Sequence, residues 1–126
     1  MTENELSYLI VKAAIEVHKT LGGPGLLESV YEEALAWELS ENGLSVKRQE
    51  PLPINYKGQN LATPLQIDLI VHELVIVECK AVSKYHEMFE SQALTYLRLT
   101  NLKLALVIHF GEKFVKDGIH RVVNGL

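Results

Sequence analysis

The stretch Ile67-Asp68-Leu69-Ile70-Val71-His72-Glu73-Leu74-Val75-Ile76-Val77-Glu78-Cys79-Lys80 holds two aliphatic, largely β-branched runs that carry Asp68, Glu78 and Lys80 at particular places. Ile67 to Val71 and Leu74 to Lys80 read as the arms of a tight antiparallel hairpin, because only His72-Glu73 separates them. Alternation places Glu78 and Lys80 on one face of their strand, alongside Leu74 and Ile76, and turns Cys79 the other way. A two-residue turn would set Asp68 opposite Val77, with its carboxylate on the opposite face from Glu78. An odd-numbered connection or a bulge sets Asp68 opposite Glu78 instead. That register is predicted, because partly buried acids among aliphatic neighbours need partners. Two carboxylates converging from adjacent strands are hard oxygen ligands of the kind Mg²⁺ prefers, and Lys80 beside them is placed to orient or help deprotonate a water. Cys79, facing away on a buried strand, reads as a small core residue and not as a nucleophile.

Downstream, Lys84 to Thr100 reads as a helix with Phe89, Ala93, Leu94 and Leu97 apolar, and Gln92 and Tyr96 stack four apart on one of its faces. Lys103 to Phe110 reads as a buried strand ended by Gly111, and Ile119 to Val123 as an edge strand. Upstream, the alternating stretch after Ser45 is punctuated by Pro51, Pro53, Lys57-Gly58 and Pro64, which predicts strands near 45–50 and 52–56. Leu6, Ile10, Ala13, Val17 and Leu21 recur at helical steps behind a Thr2/Glu5 capping box. Gly22-Gly23-Pro24-Gly25 stops that helix. A second helix starts near Leu26 to Glu28 and runs to about Asn42, with Val30, Ala34, Leu35 and Leu39 as its apolar stripe. Glu28 falls in its first turn, where the helix dipole favours an acid, and Tyr31 follows on the same side. The order, α-α-β-β-β-α-β, is that of an α/β fold with a central mixed sheet flanked by helices.

A chain of 126 residues has room for one domain, expected over 1–126, and its 48% apolar and 22% charged residues are those of a globular protein. With 12 Lys and Arg against 16 Asp and Glu it carries a formal charge of −4, which argues against a protein that coats nucleic acid indiscriminately. Residues 1–63 hold 5 basic and 9 acidic side chains, whereas 64–126 hold 7 of each. Outside Lys80, the basic residues of that second half are Lys84, Arg98, Lys103, Lys113, Lys116 and Arg121, so a nucleic-acid footprint should be short or shared by a homodimer. The lone cysteine excludes an internal disulfide, no apolar run reaches bilayer length, and the start lacks a basic leader, so a cytoplasmic location is expected. His18, His72, His86, His109 and His120 show no zinc-ligand spacing, although His86 and His109 lie where they could approach the acids. The glycine-rich loop lacks the Gly-Lys-Ser/Thr ending of a phosphate-binding loop.

Asp68, Glu78-Cys79-Lys80 and Gln92-x-x-x-Tyr96, in that order, resemble the signature of the PD-(D/E)xK nuclease superfamily. Gly25-Leu26-Leu27-Glu28-Ser29-Val30-Tyr31 is similar to the motif of the GxxExxY protein family. Val17-His18-Lys19-Thr20-Leu21-Gly22, Gln49-Glu50-Pro51-Leu52-Pro53 and Gly118-Ile119-His120-Arg121 extend that likeness over nearly the whole chain. His109 departs from the asparagine usual in the resembling family, and Cys79 from its aliphatic residue. The resemblance implies a restriction-endonuclease-like core and a divalent-metal-dependent nuclease using Mg²⁺ or Mn²⁺, with DNA favoured over RNA as substrate. It implies Asp68, Glu78 and the backbone carbonyl of Cys79 as metal ligands, with Glu28 completing the shell or holding one of its waters. Lys80 would position the attacking water and stabilise the developing phosphorane charge, and Gln92 and Tyr96 would support the lysine or contact the substrate. Because the superfamily includes members without activity, the alternative is a non-catalytic nucleic-acid-binding or protein-interaction module on the same fold.

Overall fold

A computed structural model describes residues 1–126 and gives three helices around a five-stranded mixed sheet. Helix α1 spans Glu3–Thr20, and its capping box forms as expected, Thr2 Oγ1 accepting from Glu5 N–H. Helix α2 spans Glu28–Glu41. Strand β1 covers Val46–Leu52, a small hairpin follows as β2 (Asn55–Tyr56) and β3 (Gln59–Asn60), and β4 covers Leu65–Val71. Strand β5 (Val75–Lys80), α3 (Met88–Thr100), β6 (Leu104–His109), a 3₁₀ turn (Val115–Gly118) and β7 (Ile119–Val123) complete the chain. The sheet order is β1-β4-β5-β6-β7, with only β5 and β6 parallel. This is the α/β architecture of a restriction-endonuclease-like core.

The sheet separates two apolar layers. On one face α1 and α2 bury Leu6, Ile10, Leu35 and Leu39 against Leu69, Val77, Leu106 and Phe110. On the other, α3 buries Ala93, Tyr96 and Leu97 against Ile76, Ala105 and Val107. Burying such aliphatic side chains is worth about 1.5–3 kcal/mol each, so these layers fix the sheet on which the polar residues sit.

Several expectations are corrected. The break expected between 50 and 52 is absent, since β1 runs through Pro51 to Leu52, and of the strand expected at 52–56 only Asn55–Tyr56 pairs further, in the separate β2–β3 hairpin. A proline is tolerated at position 51 because β1 is an edge of the sheet and its missing N–H leaves no ladder bond unmade. Helix α3 begins at Met88 and not at Lys84, because Tyr85 stacks on His120 at 3.9 Å between centroids and the His86 ring nitrogen accepts Met88 N–H. In α2 the buried face is Tyr31, Glu32, Leu35, Ala36 and Leu39, while Val30 is exposed. Leu74 lies in the β4–β5 connection and packs on the α1/α2 layer, away from Ile76.

Candidate functional site

The connection between β4 and β5 is the odd-numbered one, His72–Leu74, closed by Leu74 N–H on the Val71 carbonyl. His72 and Glu73 both take left-handed conformations (φ 54° and 56°) to make it. Val71 therefore pairs with Val75, Ile70 with Ile76 and Leu69 with Val77, the register that sets Asp68 across from Glu78. Beyond Leu69 and Val77 the main-chain ladder stops. Asp68 N–H donates to Glu78 Oε2 at 2.8 Å, and Cys79 N–H donates to Asp68 Oδ2 at 2.8 Å. Each carboxylate thus binds the backbone of the opposite strand and props the strands apart.

Glu28 reaches the same strand end from α2, its Oε1 accepting Ala81 N–H at 3.2 Å. Three acids, distant in sequence, are in this way tied around Glu78–Ala81. The anchor that sets α2 at this height is Tyr31. Its ring stacks on Phe110 at 4.7 Å and 7°, and its hydroxyl donates to Gly23 O and accepts Leu26 N–H. Tyr31 is fully buried, so it supports the loop that delivers Glu28 and does not share Glu28's exposed surface. Phe110 in turn donates its N–H to Lys80 O at 2.7 Å.

Lys80 is half-buried, with Nζ over the ring of Phe89, 4.8 Å from its centroid. Tyr96 is buried within electrostatic reach of Glu78 and Asp68, and burial followed by those charges raises its phenol. Gln92, one turn earlier, is exposed, and neither it nor Tyr96 hydrogen-bonds Lys80. The residue from α3 that holds the lysine is Phe89.

Sequence reading missed Glu32 and Gln49. Glu32 is 4% exposed and accepts Arg48 Nε and Nη2 at 3.2 and 3.0 Å and Gln49 Nε2 at 2.8 and 3.0 Å. Gln49 Nε2 also lies 3.4 Å from Asp68 Oδ1. Gln49 stands where β1 would pair with Asp68, and there the β1–β4 pairing skips a position and Gln49 takes φ 48°. A left-handed non-glycine residue at this point carries strain of the kind that collects at functional sites. The available signal was spacing: Glu28 and Glu32 are four apart on one helix.

The electrostatics follow from four acids in a half-buried niche. Burial, assisted by the charge of Glu32, raises the Asp68 carboxyl to about 6 against the pull of Cys79 N–H and Lys80. Burial and then the charge of Asp68 raise Glu78 to about 8. The Cys79 thiol is fully buried and raised well above its ordinary value, which agrees with its reading as a core residue. His109 is buried with Nε2 2.7 Å from Val82 O, while His86 caps α3. His18 contacts Phe110 O and stays away from the acids.

No cluster of three or more His, Cys, Asp or Glu side chains forms a ready metal cage. The donor set nevertheless fits a hard divalent cation. Asp68 and Glu78 repel one another and are raised by burial, each commits one oxygen to a main-chain N–H, Asp68 Oδ1 has only the long contact from Gln49, and the remaining lone pairs are left for a cation. Mg²⁺ is characteristically held by one or two carboxylates together with waters and substrate phosphate.

A family model described as the PD-(D/E)XK nuclease superfamily matches residues 4–122. The chain belongs to that superfamily. No curated protein and no solved structure matches it significantly. No helix is long and apolar enough to cross a membrane.

Proposed function

We propose that the protein is a Mg²⁺- or Mn²⁺-dependent nuclease that hydrolyses phosphodiester bonds, with Asp68, Glu78 and Lys80 at its centre. The supporting observation is the splayed end of β4 and β5, where two carboxylates replace the ladder and Lys80 stands beside them, in a chain of a nuclease superfamily. Asp68 and Glu78 would hold the cation. The Cys79 carbonyl would be the backbone ligand, because Cys79 N–H already points to Asp68 and in a strand the carbonyl of a residue projects to the same side. Once bound, the cation supplies Lewis-acid charge and water activation. Lys80, its ammonium held over the Phe89 ring, orients the attacking water and offsets charge developing on the phosphoryl oxygens. Glu28 holds a water at the outer side of the acids, and Tyr96 excludes bulk solvent from Glu78. Gln92, being exposed, is placed to contact the substrate strand. Membership of the GxxExxY family, a preference for DNA over RNA, a cytoplasmic location, a single domain over 1–126 and a homodimer belong to the same reading.

The test is cleavage of single- and double-stranded DNA and RNA with Mg²⁺ or Mn²⁺ by the wild type and by Lys80→Ala. Cation-dependent cleavage that disappears in the variant, with folding and Mn²⁺ binding retained, is expected. Unchanged cleavage by Lys80→Ala contradicts the assigned role. Absence of cleavage by the wild type on every substrate favours the non-catalytic module.

A further inference from the structure

Because β5 and β6 are parallel, the loop after β6 emerges at the same end of the sheet as Lys80. That loop carries Lys113, Phe114 and Lys116, and it faces Lys19, Gly22 and Gly23 across a cleft of about 350 Å³. The Gly22–Gly25 loop joins the cleft to the acids: Gly23 O accepts the Tyr31 hydroxyl, and Glu28 follows at the start of α2. Phe114 is 54% exposed although Phe110 and Val115, on either side of it, are buried. Lys113 Nζ and Lys116 Nζ lie over its ring, 5.5 and 5.9 Å from the centroid, a place that a base stacking on the ring would share with them. Lys19, Lys113 and Lys116 take part in none of the molecule's ion pairs, which involve Lys47 and Arg48, nor do they share the carboxylates that face His109 and His120. The acids nearest in sequence do not neutralise them: Glu16 accepts from Thr20, Glu112 faces His109, and Asp117 pairs with neither neighbouring lysine. In a chain of net charge −4, two lysines over one exposed aromatic ring and a third lining the same cleft, none of them in an ion pair, form a local exception.

We infer that this cleft binds single-stranded nucleic acid, with Phe114 stacking on a base and Lys19, Lys113 and Lys116 contacting the backbone. The inference rests on the nuclease reading and narrows its substrate class. An aromatic ring beside cations is the recurring means of holding a strand whose base faces are free, and a stacked duplex offers no such face. Commitment to a single strand follows from the ring, and commitment to a polyanion follows from the lysines.

The test is fluorescence anisotropy of labelled oligothymidylate of about 15 nucleotides, and of a duplex of similar length, with EDTA present to prevent cleavage. The wild type should bind the single strand more tightly than the duplex. Phe114→Ala should weaken single-strand binding about 5- to 100-fold, and Phe114→Tyr should restore it. Lys113→Ala should lower the slope of log affinity against log salt by about 0.7. Binding that is retained unchanged in Phe114→Ala overturns the platform and leaves the nuclease reading intact. Binding through Phe114 without cation-dependent cleavage upholds the platform and overturns the nuclease reading. No binding of any oligonucleotide by the wild type overturns the platform, and the nuclease reading is then decided by the cation-dependent cleavage assay alone.

Discussion

Between Leu69 and Val77 the β4–β5 pair is an ordinary antiparallel ladder of buried aliphatics, whereas one residue further along each strand the backbone bonds end on carboxylates. The two halves belong to the same strands and the same sheet. In the first, stability comes from apolar area and main-chain pairing. In the second, Asp68 and Glu78 are held in a niche that raises both, so the fold gains little from them in the absence of a cation. The difference separates residues that build the molecule from residues proposed to hold a cation, and it makes opposite predictions for substitutions only a few ångströms of strand apart.

The largest expected effect is kinetic and lies in the second half. Lys80→Ala should reduce cation-dependent cleavage by about 10²- to 10³-fold with little change in thermal stability, measured by initial rates beside a melting curve. Next is Ile76→Ala in the laddered half. Removing this fully buried side chain should cost about 2–5 kcal/mol, read by urea unfolding, while the folded fraction keeps its Mn²⁺ affinity. If Ile76→Ala instead removed Mn²⁺ binding without unfolding the chain, the two halves would not be separable.

A third prediction has the reverse sign. Glu78→Gln keeps an acceptor for Asp68 N–H but removes a carboxyl whose ionisation burial and Asp68 oppose, so at neutral pH and above the metal-free protein should gain about 1–2 kcal/mol in unfolding stability while losing Mn²⁺ binding. pH sharpens the same contrast. Both carboxyls are raised in the folded chain, so the native state keeps protons that the unfolded state has released. Their contribution is fully present below the ordinary carboxylate range and is lost as pH rises through about 6 for Asp68 and about 8 for Glu78. The melting temperature of the metal-free protein should therefore fall from about pH 5 to about pH 8, and saturating Mn²⁺ should flatten that slope because cation and proton compete for the same oxygens. The smallest effect belongs to Tyr31→Phe. It removes the bonds to Gly23 O and Leu26 N–H but keeps the Phe110 stack, and should cost about 1 kcal/mol.

The parts of this arrangement that were legible in the sequence are those governed by strand period. Asp68 and Glu78 could share a site only in the odd register, and the three-residue connection provides it. Glu28 was legible as an acid at a helix start, and its bond to Ala81 is where the fold delivers it. Glu32, Gln49 and Phe89 were not legible. Glu32 is one of several acids on α2, and only the packing of α2 over β1 distinguishes it from exposed Glu33. Gln49 acts by leaving the ladder, which alternation does not anticipate. Phe89 looked like another core position of α3, and its contact with Lys80 depends on the helix starting at Met88. Gln92 shows the converse: its spacing from Tyr96 was right, yet it ends exposed while Tyr96 is buried.

The most direct measurement is calorimetric titration of Mn²⁺ into the wild type and into Asp68→Ala, because it needs no knowledge of the substrate. The account predicts binding by the wild type and its loss in a variant that remains folded. Equal binding by both, or none by the wild type even with an oligonucleotide present, would contradict a cation held at the parted ends of β4 and β5.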